Sequence, residues 1–147
     1  MAFCRWLSEQ VGHEVSLPTE EEWERAARGR DGGKYPWGET YESGHANVDE
    51  TWGDGEWQLD QTAAVGVYPQ GASSEGVLDL SGNVCEWCLK KSEHPEQADG
   101  SGDMRVARGG SWMNFPDDGR GSQRYRNDPD FRHDGNGFRL VSSAPIR

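Results

Sequence analysis

A chain of 147 residues can hold one domain with a buried core, and although its 20 glycines and 33% hydrophobic content lean toward disorder, seven Trp, four Tyr and four Phe argue against it. The formal net charge of −11 disfavours nucleic acid as a partner. No apolar run approaches the ~20 residues of a membrane helix, and Met1–Leu7 has no hydrophobic stretch of signal-peptide length.

Ala2–Val11 is predicted as an amphipathic helix, with Phe3, Trp6, Leu7 and Val11 near helical spacing and Gly12 as its stop. This apolar pattern begins abruptly, which suggests that an N-terminal strand was lost or lies in another segment. Val15 and Leu17 suggest a short strand. Thr19 then caps a helix through Arg28: Glu22 stands three residues on, completing a capping box, and Gly29 closes the element. Trp23, Ala26 and Ala27 share one face of it. Tyr35-Pro36-Trp37-Gly38 reads as a turn with two aromatic anchors. Thr51–Gln58 is an acidic loop, Val65–Pro69 a short strand, and 92–103 an exposed loop. Met104–Trp112 reads as a strand entering a Gly-Gly bend, and Gly137–Ser142 as a final strand. With no internal repeat or linker, one domain is expected over 1–147.

Charge is unevenly placed. Residues 105–147 carry eight Arg, no Lys and five Asp, whereas residues 1–104 hold twenty-one acidic and seven basic groups. An Arg-only tail suggests planar forks that grip carboxylates and loop carbonyls; the alternative is simple surface solvation. The three cysteines, Cys4, Cys85 and Cys88, make no disulfide framework and fit a reducing, cytoplasmic setting. Cys85-Glu86-Trp87-Cys88 lacks the second ligand pair of a zinc site, so both thiols are expected in the core.

Several segments together resemble the formylglycine-generating-enzyme, or sulfatase-modifying-factor, family. They are Leu17-Pro18-Thr19-Glu20 with Trp23-Glu24 and Ala26–Gly29; Tyr35–Gly38; Ala46-Asn47-Val48; Val65-Gly66; Gly82-Asn83-Val84 with Glu86-Trp87; Arg105-Val106 with Arg108–Trp112; and Gly137-Phe138-Arg139. The resemblance implies an α+β, C-type-lectin-like fold with two helices, a small twisted antiparallel sheet and much irregular loop. It also implies a structural Ca²⁺ held by the Asp79 and Glu86 side chains and the Gly82 and Val84 carbonyls, a donor set of the hard oxygens that calcium takes. The competing reading is that Asp79 and Glu86 merely cap turns. A second, weaker site would use Asn47 and the Val48 carbonyl. The family's enzymes bind copper through two cysteines after the Gly-Gly-Ser motif. Here Asn114 stands near the first place and Gly119 near the second, so no copper chemistry is expected.

Within the family the tail resembles the variable proteins of diversity-generating retroelements, which display residues rewritten at template adenines. The frame would be Arg108–Trp112, Arg120, Arg124, Arg126, Pro129-Asp130, Arg132 and Gly137–Val141. Between frame residues stand Met113, Asn114, Phe115, Asp117, Asp118, Gly119, Gly121, Gln123, Tyr125, Asn127, Asp128, Phe131, His133, Asp134, Gly135 and Asn136. Most are reachable from an Asn codon by adenine change; Met113 and Gln123 are not. Aromatics scattered among Asp, Asn and Gly resemble a paratope. Phe138 is expected in the core, and the Arg124/Arg126 row is expected to grip the scaffold while Gln123 and Tyr125 face outward. The reading is a non-catalytic domain binding a protein or other macromolecule, with no nucleic acid and no membrane segment. The alternative is an inactive accessory or sensor domain of a larger protein.

Overall fold

The computed structural model describes residues 2–51, 58–89 and 104–144, so the expected loop over 92–103 and most of Thr51–Gln58 lie outside it. Helix α1 (Ala2–Val11) ends at Gly12, whose φ of 75° only glycine adopts readily. Of its residues only Cys4 is buried, while Phe3 and Trp6 remain about half exposed. The Ser8 hydroxyl lies against the Cys4 and Val15 carbonyls and accepts the Val15 N–H at 2.9 Å, joining α1 to strand β1 (Val15–Ser16).

Helix α2 (Glu20–Arg28) has the predicted capping box: Glu22 N–H donates to Thr19 Oγ1 at 3.2 Å, and Thr19 N–H donates to Glu22 Oε2 at 2.8 Å. Its Trp23 and Ala27 enter a compact core with Leu80 and Cys88, against which Ala26, Val77 and Val106 pack. One aromatic ring thus supplies much of the apolar mass that aliphatic residues supply in other domains.

Four strands cross behind this helix: β2 (Cys85–Trp87), β3 (Arg105–Arg108), β4 (Arg124–Asn127) and β5 (Asn136–Gly137), in the order β4-β3-β2-β5. The expected antiparallel sheet is in fact mixed, because β2 pairs with β5 in parallel. The predicted final strand is split. Residues 136–137 join this sheet, and β6 (Val141–Ser142) turns away to pair antiparallel with β1. Val65–Pro69 forms no strand: Val67 N–H bonds back to Ala64 O, a short 3₁₀ turn follows over Pro69–Gly71, and Val65 and Val67 face solvent. Both valines stay exposed among the described residues, so burial gives them no reason to extend.

The aromatic turn forms as expected. Tyr35 and Gly38 bridge, Tyr35 stacks on Trp37 at 5.3 Å, and Tyr41 meets both edge-on. Glu50 is buried beneath, accepting from Tyr41 and Ser43 hydroxyls and the Gly44 N–H.

Candidate functional site

Two guanidiniums hold the frame. Arg108 is fully buried, with its charge 5.3 Å from the Trp23 ring centroid. It donates to Glu20 Oε1 at 3.0 Å, Glu24 Oε2 at 2.7 Å and the Gly121 carbonyl at 2.9 Å. Burial raises the Glu24 pKa, but the Arg28 and Arg108 guanidiniums outweigh it and leave the carboxyl below its ordinary 4.5. Arg139 takes Glu86 in a bidentate pair and also donates to the Leu78 and Asp79 carbonyls at 3.0 and 2.9 Å. The Trp23 indole N–H donates to the same carboxylate at 2.6 Å. These are the planar forks expected from an Arg-only tail.

Glu86 is therefore already neutralised by a protein cation. Asp79 is engaged separately: it sits at φ 56°, and its Oδ2 accepts the Gly66 N–H at 2.7 Å. Three residues on, Gly82 (φ 73°) and Asn83 (φ 62°) are left-handed as well, a conformation that favours Gly, Asn and Asp. A Cβ on Gly82 would lie 2.3 Å from the Asn47 carbonyl oxygen. Asn83 N–H donates to that same oxygen at 2.8 Å, and the Asn47 amide donates to Gln61 O at 2.9 Å. Asn47, Val48 and Gly82 thus meet in one backbone junction. A Ca²⁺ held by Asp79, Gly82, Val84 and Glu86 would have to share Glu86 with Arg139 and Asp79 with the Gly66 N–H. Among the described residues no three His, Cys, Asp or Glu side chains gather as a metal set.

Beyond Gly109-Gly110, both at positive φ, the chain turns into the segment that holds the sixteen positions from Met113 to Asn136. The sixteen positions separate sharply. Phe115, Asp117, Asp128, Phe131, His133 and Asp134 are exposed, and Met113, Asn114, Asp118, Gln123, Tyr125, Asn127 and Asn136 are half-buried. Gly119, Gly121 and Gly135 are buried, and a Cβ on each would crowd the side chains of Ser81, Arg28 and Met113 respectively. Asn114 also turns inward: its Oδ1 accepts from Ser111 N–H at 2.9 Å and lies 2.8 Å from Ser111 Oγ, and its carbonyl takes Asp49 N–H. Asp117, though exposed, is tethered to Arg120 and to the Tyr35 hydroxyl, and the Arg120 guanidinium holds its carboxyl below the usual range.

On β4 the expected alternation is reversed. Arg124 and Arg126 are exposed while Gln123, Tyr125 and Asn127 are half-buried. Arg124 still reaches the scaffold, donating to Glu20 Oε2 at 2.6 Å. Burial raises the Tyr125 hydroxyl pKa, with the Asp118 charge adding to it. Phe138 is corrected too: it is 53% exposed, edge-on to Phe3 at 6.1 Å.

At the tip, Phe131 and His133 stack on each other with centroids 5.7 Å apart and planes 6° from parallel. Asp128 folds the approach, accepting Phe131 N–H on its carbonyl and Asp130 N–H on its carboxylate. Gly135 N–H donates to His133 Nδ1, and Gly135 O accepts Cys85 N–H from β2. The three cysteines are free and buried, and burial pushes Cys85 and Cys88 up to about 12.

Residues 1–144 match the family model described as the sulfatase-modifying factor enzyme 1-like domain. The chain belongs to this family. Its fold is the C-type-lectin-like fold of the formylglycine-generating-enzyme type. The inactive C-alpha-formylglycine-generating enzyme 2 of Bos taurus is 34% identical over 97% of this chain and 47% of its own length. Treponema denticola variable protein 1 superposes with TM-score 0.65 at 30% identity, over 87% of this chain and 47% of that one. PvdO from Pseudomonas aeruginosa superposes with TM-score 0.73 at 30% identity, over 96% of this chain and 57% of that one. The chain spans about half the length of the first two relatives, 47% of each. Among the described residues, no helix is long and apolar enough to cross a membrane.

Proposed function

We propose that this sulfatase-modifying-factor domain is a non-catalytic binding module that presents part of its 113–136 segment to a protein or other macromolecular ligand. The stacked, exposed Phe131–His133 pair carries the reading, since aromatic rings give contact area at little entropic cost. Likeness to a variable protein supports diversification of that surface. The recognition positions are then the six exposed ones: Phe115, Asp117, Asp128, Phe131, His133 and Asp134. Randomising these six should leave folding intact, whereas randomising Gly119, Gly121 and Gly135 should abolish it. Equal tolerance in both libraries, read by protease resistance on a display surface, would contradict the division into frame and face.

The absence of catalysis rests on local chemistry. Copper(I) needs soft thiolates, yet Asn114 is tied to Ser111, Gly119 has no side chain, and no cysteine follows Cys88. Incubation with copper and a cysteine-bearing sulfatase peptide should yield no formylglycine; turnover would end the proposal. We further propose that Arg139 does the bracing expected of calcium. A second reading, an inactive accessory domain of a larger protein, is favoured by the bovine relative's name. A near-repeat of the DNA encoding Arg105–Val141, differing at adenines, would decide for diversification.

A further inference from the structure

A cavity of about 310 Å³ opens beside α1, lined by Phe3, Leu17, Trp87 and Phe138, with the Cys4 and Cys88 side chains in its wall. It is apart from the recognition tip: of its lining only Pro129 lies between Met113 and Asn136. Its rim is apolar yet open to solvent, with Phe3 49% and Phe138 53% exposed. Phe3 also stacks with the half-exposed Trp6 at 5.6 Å.

Among the described residues of its lining, one is charged, Arg105. Its backbone is fixed by pairing with Asn127 on β4, and the residue is half-buried. The other scaffold arginines behave differently. Arg108 and Arg139 are each paired with carboxylates, whereas no hydrogen bond or ion pair holds the Arg105 guanidinium among the described residues. An arginine in the lining of a cavity with aromatic walls is complementary to an anion with an apolar body. The volume lies at the small end of the range for ligand pockets, which suits a compact molecule.

We infer that this cavity binds a small free amphipathic carboxylate, with its aliphatic or aromatic body against Phe3, Leu17, Trp87 and Phe138 and its carboxylate on Arg105. The inference goes beyond the recognition reading and does not depend on it.

Titration of the full chain with octanoate and with octanol tests it, read by tryptophan fluorescence, with Trp87→Phe assigning the signal. Octanoate should saturate and bind about tenfold tighter than octanol, the margin of one charge-assisted hydrogen bond. Each methylene from hexanoate to octanoate should tighten binding about fourfold. Arg105→Gln should remove the preference for octanoate and Arg105→Lys should restore part of it. Methyl NMR shifts confined to Leu17 and Leu89 would support the location even if a variant folds poorly. Equal affinity for octanol, an unchanged preference in Arg105→Gln, or no saturation in the millimolar range would overturn the inference. So would binding of neutral phosphatidylcholine vesicles without response to octanoate, which would assign the aromatic rim to a lipid surface.

Discussion

Arg108 and Arg124 both reach Glu20, but they are held in different solvents. Arg108 is wholly buried and satisfies two carboxylates and two carbonyls, whereas the Arg124 side chain is 46% exposed. Removing a buried partner leaves uncompensated charge and a void, while an exposed pair is screened and entropically costly. Arg108→Ala should therefore lower stability by about 3 kcal/mol, and Arg124→Ala by less than about 1 kcal/mol, both measured by urea denaturation. Glu86→Gln should cost roughly 2 kcal/mol, because it weakens the Arg139 fork in a buried setting. A chelator should leave the melting temperature unchanged. A fall on chelation would return calcium to Asp79, Gly82, Val84 and Glu86.

Helix α2 shows how far local chemistry reaches. Its cap, its acidic start, its buried Trp23 face and its Gly29 stop are all written in the eleven adjacent residues from Thr19 to Gly29, and the structure reproduces them. Thr19→Ala should cost about 1 kcal/mol by removing one side of the box, a shift readable by thermal melting. The Gly82 turn asks more of its residue: Gly82→Ala meets backbone at 2.3 Å and a left-handed φ together, so it should fail to fold or lose most of its stability. Strand behaviour was harder to read. Val65 and Val67 have strand-forming side chains but no partner strand, and the alternation on β4 is legible only up to which face is covered. The sequence cannot specify that β5 would pair in parallel with β2, since that depends on a contact between residues fifty apart.

At the scale of the molecule, family resemblance carried the fold, while the frame-versus-face division needed coordinates. A glycine and an asparagine look equally variable in a string; only the clash with Ser81 or the tie to Ser111 separates scaffold from display. The apolar cavity escaped sequence reading because Phe3, Trp87 and Phe138 are far apart along the chain. Acid should expose how the frame is held. With Glu24 depressed in the fold, its contribution is present above its ordinary 4.5 and is lost as pH falls through the lower folded value. Denaturation midpoints should drop below that pH, and Glu24→Gln should flatten the drop.

The Phe131–His133 stack has one further consequence. Each ring rests on the other, away from the Trp23 core. Substitutions at Phe131 and substitutions around Trp23 should then be additive in a double-mutant cycle, whereas His133 and Gly135, joined by a hydrogen bond, should couple. A lineage could exchange one specificity for another there while its fold stayed constant, so innovation at this surface would be limited by partners and not by thermodynamics.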